Sequence, residues 1–515
     1  MQRAETIDRL ATERLDLAVI GGGIVGARVA LEGARLGMHV GLIDSGDFGG
    51  ATSSASSKLV HGGFRYLPMG DIALVRQSQR ERRVLMELVA PNLVRPIPFL
   101  LPVYDDSPKR PATVVAGLML YRALAGMGGR VGVVTPQNAV HLVPGLRTDG
   151  LRMCGLFEEA ETIDSRFVLA TVKGASRAGA LVLNHARAVA LELRHNRGGT
   201  ITIDAGRDGR LEVRANHVIN AAGPWVDTVR RLDDPSADDL VRLSKGVHVL
   251  LPPSGNWRAG IAVPLDGGRV TMGIPWQGTL MLGTTDTLYT GDPTDARVTE
   301  DDVSEVLEEA SRFLPRELLD SRRMRFAMAG LRALPYAERD TAATRRGHMI
   351  EVSRNGLVSV AGGKLTTHRL IACDALRKAL PQSAEITPDS RRLPGTGWSL
   401  QVEACPSLEP DVADHLERLY GDEACRILEL AKTVPDGLDR IHPEGPDLWA
   451  QVDYAFESEW ACNVDDVARR RTTLAVRGLL TPAIADGIEG RSRSHVTGAR
   501  LRRLSGRATH SAPQI

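Results

Sequence analysis

Hydrophobic and polar positions in the first fifty residues change period twice. LDLAVIGGG (15–23) is a short apolar run that ends in glycines, and IVGARVALEGARLG (24–37) places apolar and small residues at helical spacing. HVGLIDSGD (39–47) then returns to strand character. A strand, a helix and a second strand in this order are typical of a β–α–β unit.

The rest of the chain divides by the same patterns. Residues 241–290 alternate apolar and polar positions between glycines, which predicts antiparallel sheet. Residues 91–150 are rich in proline and glycine and predict loops with one helix near 113–125. Residues 409–488 predict helices, and the Arg- and Ser-rich segment from about 489 predicts a disordered tail.

Composition narrows the class of protein. The 515 residues carry a formal net charge of +1 and only 4% aromatics, which argues against nucleic-acid binding. The five cysteines form no CxxC pair, so we expect a reduced, intracellular protein without a metal site. The most apolar stretch, 113–127, is interrupted by Arg122 and is shorter than the ~20 residues of a membrane span. We therefore expect a chain that does not cross a bilayer but could lie on its surface.

A glycine motif follows the first strand. Gly21, Gly23 and Gly26 form GxGxxG between strand and helix, and Gly22 adds a fourth glycine. Glycines permit a tight turn and let a pyrophosphate approach the N–H groups of the helix N-terminus. Asp44 closes the second strand, where a carboxylate can accept hydrogen bonds from a ribose. The motif predicts a dinucleotide site.

The position of later motifs favours FAD over NAD. An NAD enzyme usually completes its nucleotide domain in one block. Here strand–turn–helix patterns recur at 219–227 and 358–369, as expected when distant segments hold one extended cofactor. We predict an α/β fold whose domains are a Rossmann-type FAD-binding domain (15–90, 164–240 and 330–385), an antiparallel-sheet substrate-binding domain (91–163 and 241–329), a C-terminal helical domain (398–488) and a basic tail (489–515).

An ordered set of motifs resembles the FAD-dependent glycerol-3-phosphate dehydrogenase family, the respiratory, quinone-reducing enzymes. The motifs are IGGGIVGA (20–27), ATSSASSKLVHGGFRYL (51–67), NAAGPWVD (220–227), KGVHVLLP (245–252), IPW (274–276), LGTTDTLYTGDP (282–293), GLRAL (330–334) and AGGKLTTHR (361–369). The helical C-terminal pattern is also similar to that family's cap. The resemblance covers about residues 15–488.

The resemblance implies which residues hold FAD. ATSSASSK would run under the flavin, and HGGFRYL would deliver side chains to the substrate. A solvated Ser-rich loop is the alternative, but it leaves the gathering of Lys58, His61 and Arg65 unexplained. The predicted cofactor-binding residues are Gly21, Gly22, Gly23, Gly26, Asp44, Thr52, Ser53, Ser54, Ser57, Ala222, Gly223, Gly363, Lys364, Leu365 and Thr366.

The resemblance also implies the chemistry. The C2 alcohol of sn-glycerol 3-phosphate would be oxidised to dihydroxyacetone phosphate, with hydride passing to flavin N5. Arg65, Arg332 and Lys364, each expected in a Gly-containing turn, are the predicted cations for phosphate. His248 is the first choice for the base that takes the hydroxyl proton, and His61 is the second. The alternative for His248 is a buried structural histidine.

Electron acceptor and location follow from the same resemblance. Electrons would pass to a quinone, and the protein would be cytoplasmic and peripheral on the inner face of the cell membrane. One alternative is an FAD oxidase of the same fold that uses O₂ or acts on another hydroxy acid or amine. Another is a noncatalytic flavoprotein or membrane-surface scaffold, for which the Arg-rich tail is the support. The quinone site has no local signature, and a homodimer is an open possibility.

Overall fold

The computed structural model describes residues 3–64, 70–107, 109–124, 130–195, 197–336, 347–381, 385–398 and 408–508, without the side chains of 496–508. The strands are β1 (Arg14–Ile20), β2 (Val40–Ile43), β3 (Val94–Tyr104), β4 (Gly132–Val134), β5 (Leu151–Thr162), β6 (Leu181–Leu183), β7 (Arg187–Arg194), β8 (Gly198–Asp204), β9 (Arg210–Asn220), β10 (Val241–Leu251), β11 (Gly260–Pro264), β12 (Val270–Trp276), β13 (Thr279–Gly283), β14 (Thr287–Tyr289), β15 (Phe326–Pro335), β16 (His348–Val352) and β17 (Leu357–Gly362). The helices are α1 (Arg3–Thr12), α2 (Ile24–Arg35), α3 (Ile72–Val84), α4 (Pro111–Leu124), α5 (Pro136–Leu142), α6 (Asp164–Arg177), α7 (Val226–Asp233), α8 (Glu300–Ala310), α9 (His368–Ala379), α10 (Pro410–Tyr420), α11 (Ala424–Ala431), α12 (Trp449–Ser458), α13 (Val464–Arg470) and α14 (Pro482–Ala508).

The first sheet has the predicted Rossmann-type arrangement. Among the described residues its strand order is β16-β17-β9-β1-β2-β6. Outside this order, β8 pairs with β9, and β7 pairs with β8. β1, β2, β6, β9 and β17 are parallel, so their carboxyl ends lie along one edge. α2 packs against α6 and α9. Nucleotides bind at the carboxyl edge of such sheets, and the turns after β1, β9 and β17 all lie there.

The second sheet is mainly antiparallel, as predicted for the substrate domain. Its order in the described residues is β14-β10-β13-β12-β11-β3-β5-β4, with β15 paired to β10. Trp257, Leu282 and Phe313 are buried in its core. β15 pairs with β10 along its whole length. Residues 330–335 therefore belong to this sheet, whereas the sequence had assigned them to the FAD-binding domain.

Residues 94–104 form strand β3, although their prolines had predicted a loop. Pro96, Pro98 and Pro102 fall on alternate positions, so their missing N–H groups all lie on one side of the strand. β5 pairs along the other side. On the proline side, β11 pairs only at Phe99 and Leu100. A strand tolerates proline where no ladder hydrogen bond is required, which is why the prediction was wrong here.

Residues 398–515 form a second compact unit, and its described part is helical, as predicted. In its core His415 Nε2 lies 2.8 Å from Asp447 Oδ1, and Asp447 also accepts a hydrogen bond from the Thr473 hydroxyl at 2.6 Å. Tyr420 and Tyr454 pack edge to face beside them. Within the described residues, no helix combines the length and the apolar content that a bilayer crossing requires.

The prediction of a disordered tail is wrong for residues 489–508, because helix α14 continues to Ala508. Arg493 pairs with Glu489 one turn earlier at 2.9 Å, and Arg491 donates to the Pro435 carbonyl at 3.0 Å. Arginine and alanine favour helix, and i,i+4 ion pairs add to it. Residues 509–515 lie outside the described part.

Candidate active site

The glycine turn after β1 packs against the segment that follows β9. Gly21 has φ +107°, and a Cβ there would lie 2.5 Å from the Ala221 carbonyl oxygen. A Cβ on Gly26 would lie 1.8 Å from the Gly21 carbonyl oxygen. Both positions therefore require glycine, the first for its backbone conformation and the second for close packing of helix on turn. The turn forms a cradle of backbone at the carboxyl edge of the sheet.

Asp44 lies beneath this turn. Its carboxylate accepts from the Gly22 N–H at 2.5 Å and from the Gly46 N–H at 2.7 Å. Burial raises the pKa of Asp44, and the two N–H donors oppose that rise. A carboxylate has about four acceptor sites, so two remain for other donors. This placement is compatible with the predicted ribose contact, which stays a prediction.

The Ser-rich segment connects the two sheets and is not a solvated loop. Ser53 Oγ accepts from the Ile24 N–H at the start of α2 at 3.0 Å, and Thr52 Oγ1 donates to the Leu331 carbonyl on β15 at 2.7 Å. Ser57 Oγ lies 3.0 Å from His248 Nε2 on β10. Ser54, by contrast, donates within its own turn, to the Ala51 carbonyl. We call residues 52–58 the seam segment.

Lys58 and Asp164 lock the seam segment, a role that the sequence did not reveal. Lys58 Nζ is 2.9 Å from both carboxylate oxygens of Asp164 and donates to the Ser54 carbonyl at 2.6 Å. Ser56 Oγ donates to the same carboxylate at 2.7 Å. Lys58 is buried and has φ +57°. The sequence had grouped Lys58 with His61 and Arg65, but its ammonium is committed to this internal pair.

The remaining predicted cofactor residues lie in the turns after β9 and β17. Ala222 donates its N–H to the Asn220 side chain at 3.2 Å, and Gly223 has φ +57°. After β17, Gly363 has φ +111°. Because β9 and β17 are parallel neighbours, these turns share the edge occupied by the glycine turn.

The turn after β17 also contacts the segment His61–Gly63, which we call the HGG run. Lys364 and Leu365 begin its 3-10 turn and are half-buried. Thr366 Oγ1 donates to the His61 carbonyl at 3.3 Å. His61 is half-buried as well. Arg65 lies outside the described residues, so its predicted role stays a prediction.

Arg332 lies on β15 opposite Ser244, not in a turn as predicted. Its guanidinium donates to Ser244 Oγ at 3.1 Å and to Thr284 Oγ1 at 2.9 Å, and it pairs with Asp286 at 3.2 Å. A Cβ on Gly246 would lie 2.3 Å from Nη2, so the guanidinium lies directly over that glycine. No sequence motif pointed to these three oxygen partners.

His248 shares the face of β10 on which Gly246 lies, because side chains two positions apart point the same way. It is 3% exposed, and its Nδ1 has no hydrogen-bond partner among the described residues. Burial first, and then the charges of Lys58 and Arg332, lower the pKa of His248 to about 3. The imidazole is therefore neutral at physiological pH.

Comparison with known proteins agrees with this geometry. The family model of the FAD dependent oxidoreductases matches residues 16–369, and that of the C-terminal domain of alpha-glycerophosphate oxidase matches residues 373–484. Over 491 residues the chain is 33% identical to the glycerol-3-phosphate dehydrogenase of Mycobacterium leprae, spanning 92% of this chain and 83% of that protein. The chain belongs to the FAD-dependent glycerol-3-phosphate dehydrogenase family.

Other members of the family match over similar lengths. The glycerol-3-phosphate dehydrogenase of Synechocystis is 34% identical, with 90% of this chain and 89% of that protein covered. The structure of the glycerol-3-phosphate dehydrogenase from Bacillus halodurans complexed with FAD gives a TM-score of 0.75 at 27% identity, covering 98% of this chain and 93% of that one. The resemblance, the fold class and FAD as the cofactor are confirmed. The glycine cradle and the two further turns at the same sheet edge, after β9 and β17, fit that cofactor.

Proposed function

We propose that the protein oxidises sn-glycerol 3-phosphate to dihydroxyacetone phosphate and passes the electrons to a membrane quinone. The observation that carries the proposal is the pairing of a cation and an imidazole on one face of the second sheet. The guanidinium of Arg332 lies over Gly246, and His248 follows two positions later. Two residues of strand span about 7 Å, a distance suited to a three-carbon alcohol with a phosphate at one end.

The contacts of the seam segment support this proposal, because they join that face to the start of α2 beside the glycine turn. Thr52 bonds the residue before Arg332, Ser57 contacts His248, and Ser53 lies at the N-terminus of α2. Bound FAD supplies the hydride acceptor, N5 of the flavin. Arg332, with Arg65 and Lys364, binds the phosphate and fixes the orientation of the alcohol. Lys364 also stabilises negative charge that develops at the reacting oxygen.

The proton acceptor is one of two histidines. A neutral imidazole is the form that a base requires, and His248 has that form. A base with a pKa of about 3 is nevertheless weak, because Brønsted behaviour favours a pKa near the operating pH. We therefore propose His61 as the acceptor and assign His248, held by Ser57, to positioning the alcohol.

The acceptor and the location are also part of the proposal. Electrons leave to a quinone at the inner face of the cytoplasmic membrane, where the protein is peripheral. A homodimer is compatible with this function. An oxidase is the second candidate, favoured by the match of residues 373–484 to the C-terminal domain of alpha-glycerophosphate oxidase.

An anaerobic titration tests the substrate. Adding glycerol 3-phosphate to the FAD-loaded protein should bleach the flavin absorbance; an unchanged spectrum would contradict the proposal. Stopped-flow reoxidation then separates the two acceptors. A soluble quinone analogue should reoxidise the reduced flavin much faster than air-saturated buffer does, and faster reoxidation by air would favour the oxidase.

A further inference from the structure

A buried polar cluster surrounds the HGG run. Glu159 on β5 is 4% exposed, Tyr121 on α4 is 2% exposed and Arg82 on α3 is 7% exposed. Glu159 Oε1 accepts from the Tyr121 hydroxyl at 3.0 Å, and Oε2 accepts from Arg82 Nη1 at 3.1 Å. Oε2 also accepts from the Gly62 N–H at 2.6 Å. Side chains from α3 and α4 thus hold the carboxylate that accepts from this main-chain N–H.

The main-chain pairing with β5 ends at Val60, and the next N–H on that side, that of Gly62, bonds the Glu159 side chain. The Thr162 N–H bonds the Lys58 carbonyl and the Val60 N–H bonds the Ala160 carbonyl, both at 2.8 Å, so residues 58–60 pair with the end of β5. The next carbonyl on β5, that of Glu158, accepts from Arg82 instead. The Gly62 N–H consequently has the Glu159 carboxylate as its acceptor. After Val60, side chains therefore replace strand pairing as the hydrogen-bond partners of this stretch.

The His61–Gly62 peptide is held at both of its polar ends. Its carbonyl oxygen, that of His61, accepts from Thr366 Oγ1 at 3.3 Å, and its N–H donates to Glu159. A Cβ on Gly62 would lie 2.2 Å from the Tyr121 hydroxyl oxygen, so the peptide lies directly on that side chain. Fixing this peptide plane fixes the backbone from which the His61 imidazole projects.

The aromatic residues beside the run add to this constraint. Phe64 stacks on Phe157 at 4.7 Å and meets Tyr121 edge to face at 5.2 Å. Burial and the neighbouring Glu159 raise the pKa of Tyr121 well above its ordinary value, so the phenol remains a donor. The run is therefore packed from one side and hydrogen-bonded from two.

We propose that Glu159, assisted by Tyr121 and Arg82, is a positioning residue that sets the His61 imidazole against the substrate through the His61–Gly62 peptide. The role of His61 on which this rests belongs to the proposed function. None of the three side chains needs to touch substrate or flavin. Glutamate suits the task because a carboxylate can accept from all three donors at once.

The decisive variant is Glu159→Gln, which keeps the volume but replaces one acceptor oxygen with a donor NH₂. Single-turnover flavin reduction by saturating glycerol 3-phosphate should slow about tenfold or more, because a charge-assisted hydrogen bond is lost. KM should change much less than the rate, and FAD content should stay that of the wild type. Hydrogen exchange, followed by mass spectrometry, should become faster in the peptide that contains Gly62.

Tyr121→Phe removes a single hydroxyl and should give a smaller change of the same kind. Tyr104→Phe is the matched control, because Tyr104 is also buried and donates to a carbonyl, that of Arg147, at 3.1 Å. It should leave both readouts unchanged. If Glu159→Gln does not fold, Tyr121→Phe decides.

Wild-type reduction rate together with wild-type exchange at Gly62 would overturn the proposal. A rise of KM as large as the fall in rate, together with loss of FAD and without faster exchange at Gly62, would also overturn it. Those changes would indicate a general structural defect. If glycerol 3-phosphate fails to bleach the wild-type flavin, the proposed function falls. The exchange comparison then decides the positioning of the peptide alone.

Discussion

At the level of single residues, the guanidinium of Arg332 is already held in place by Ser244, Thr284 and Asp286. A phosphate that binds there meets a pre-oriented donor, so Arg332→Ala should raise KM and lower kcat together. Loss of a charge-assisted hydrogen bond of about 1.5–3 kcal/mol corresponds to a roughly 10- to 150-fold lower kcat/KM. Steady-state kinetics with glycerol 3-phosphate measure it.

Arg322→Ala is the control for this change. The Arg322 side chain is 89% exposed and pairs only locally with Asp320 in the described residues. Its removal deletes the same charge from the chain but should leave kcat/KM unchanged. Equal effects of the two variants would show that Arg332 acts through net charge and is not a phosphate ligand.

His248 and His61 should contribute differently to the pH dependence of kcat/KM. Because the pKa of His248 is about 3, its protonation contributes nothing to a pH–rate profile above pH 5. His248→Asn should therefore keep any acid limb of the kcat/KM profile, whereas His61→Asn should abolish it and lower kcat by about 10²–10⁴. The profiles of both variants decide between the two. Loss of the limb in His248→Asn would identify His248 as the base.

At the level of elements, the close packing of α2 on the glycine turn makes FAD retention sensitive to one methyl group. A Cβ on Gly26 would lie 1.8 Å from the Gly21 carbonyl oxygen, and backbone cannot move aside cheaply. Gly26→Ala should thus purify with much less FAD, as read from the ratio of flavin to protein absorbance. Gly117→Ala is the matched control, because that helical glycine has nothing within 4 Å of the new Cβ. A fully yellow Gly26→Ala protein would contradict this placement of the cradle.

Local patterns predicted the helices and strands in which apolar residues recur at the period of that secondary structure. The β1–α2–β2 unit and the strands after 241 have apolar residues at the spacing that their burial requires. β3 was missed because its prolines mark loops unless the position of each missing N–H is known. Helix α14 was missed because a basic composition favours disorder, and the ion pair Arg491–Asp453 that anchors it joins residues far apart in sequence.

At the level of the whole molecule, the candidate site depends on contacts that local patterns cannot contain. Thr52 and Leu331 are 279 positions apart, and Ser57 and His248 are 191 apart. Resemblance to a family selected most of the candidate residues, but it left their partners unknown. The pair Lys58–Asp164 shows this, since the sequence displayed a cation beside a histidine and only the fold revealed its buried carboxylate.

Burying neutral histidines makes the stability of the whole chain depend on pH. His248, with a pKa of about 3, and His368, whose pKa burial lowers well below the ordinary value, stay unprotonated when folded. The unfolded chain protonates them below about pH 6.5, so the unfolded state binds more protons and stability falls as pH falls. Between pH 7 and 5, His248 alone should account for about 2 kcal/mol.

Urea denaturation at pH 7 and pH 5 measures this dependence. His248→Asn should lose less stability than the wild type over the same interval, because one proton taken up on unfolding has been removed. His141→Asn, which changes an exposed histidine of α5, should keep the wild-type dependence. The same burial that makes His248 a weak base also makes it a source of acid sensitivity. If His248→Asn and the wild type lost equal stability on acidification, His248 would titrate normally in the folded protein, and its exclusion as the base would fail with it.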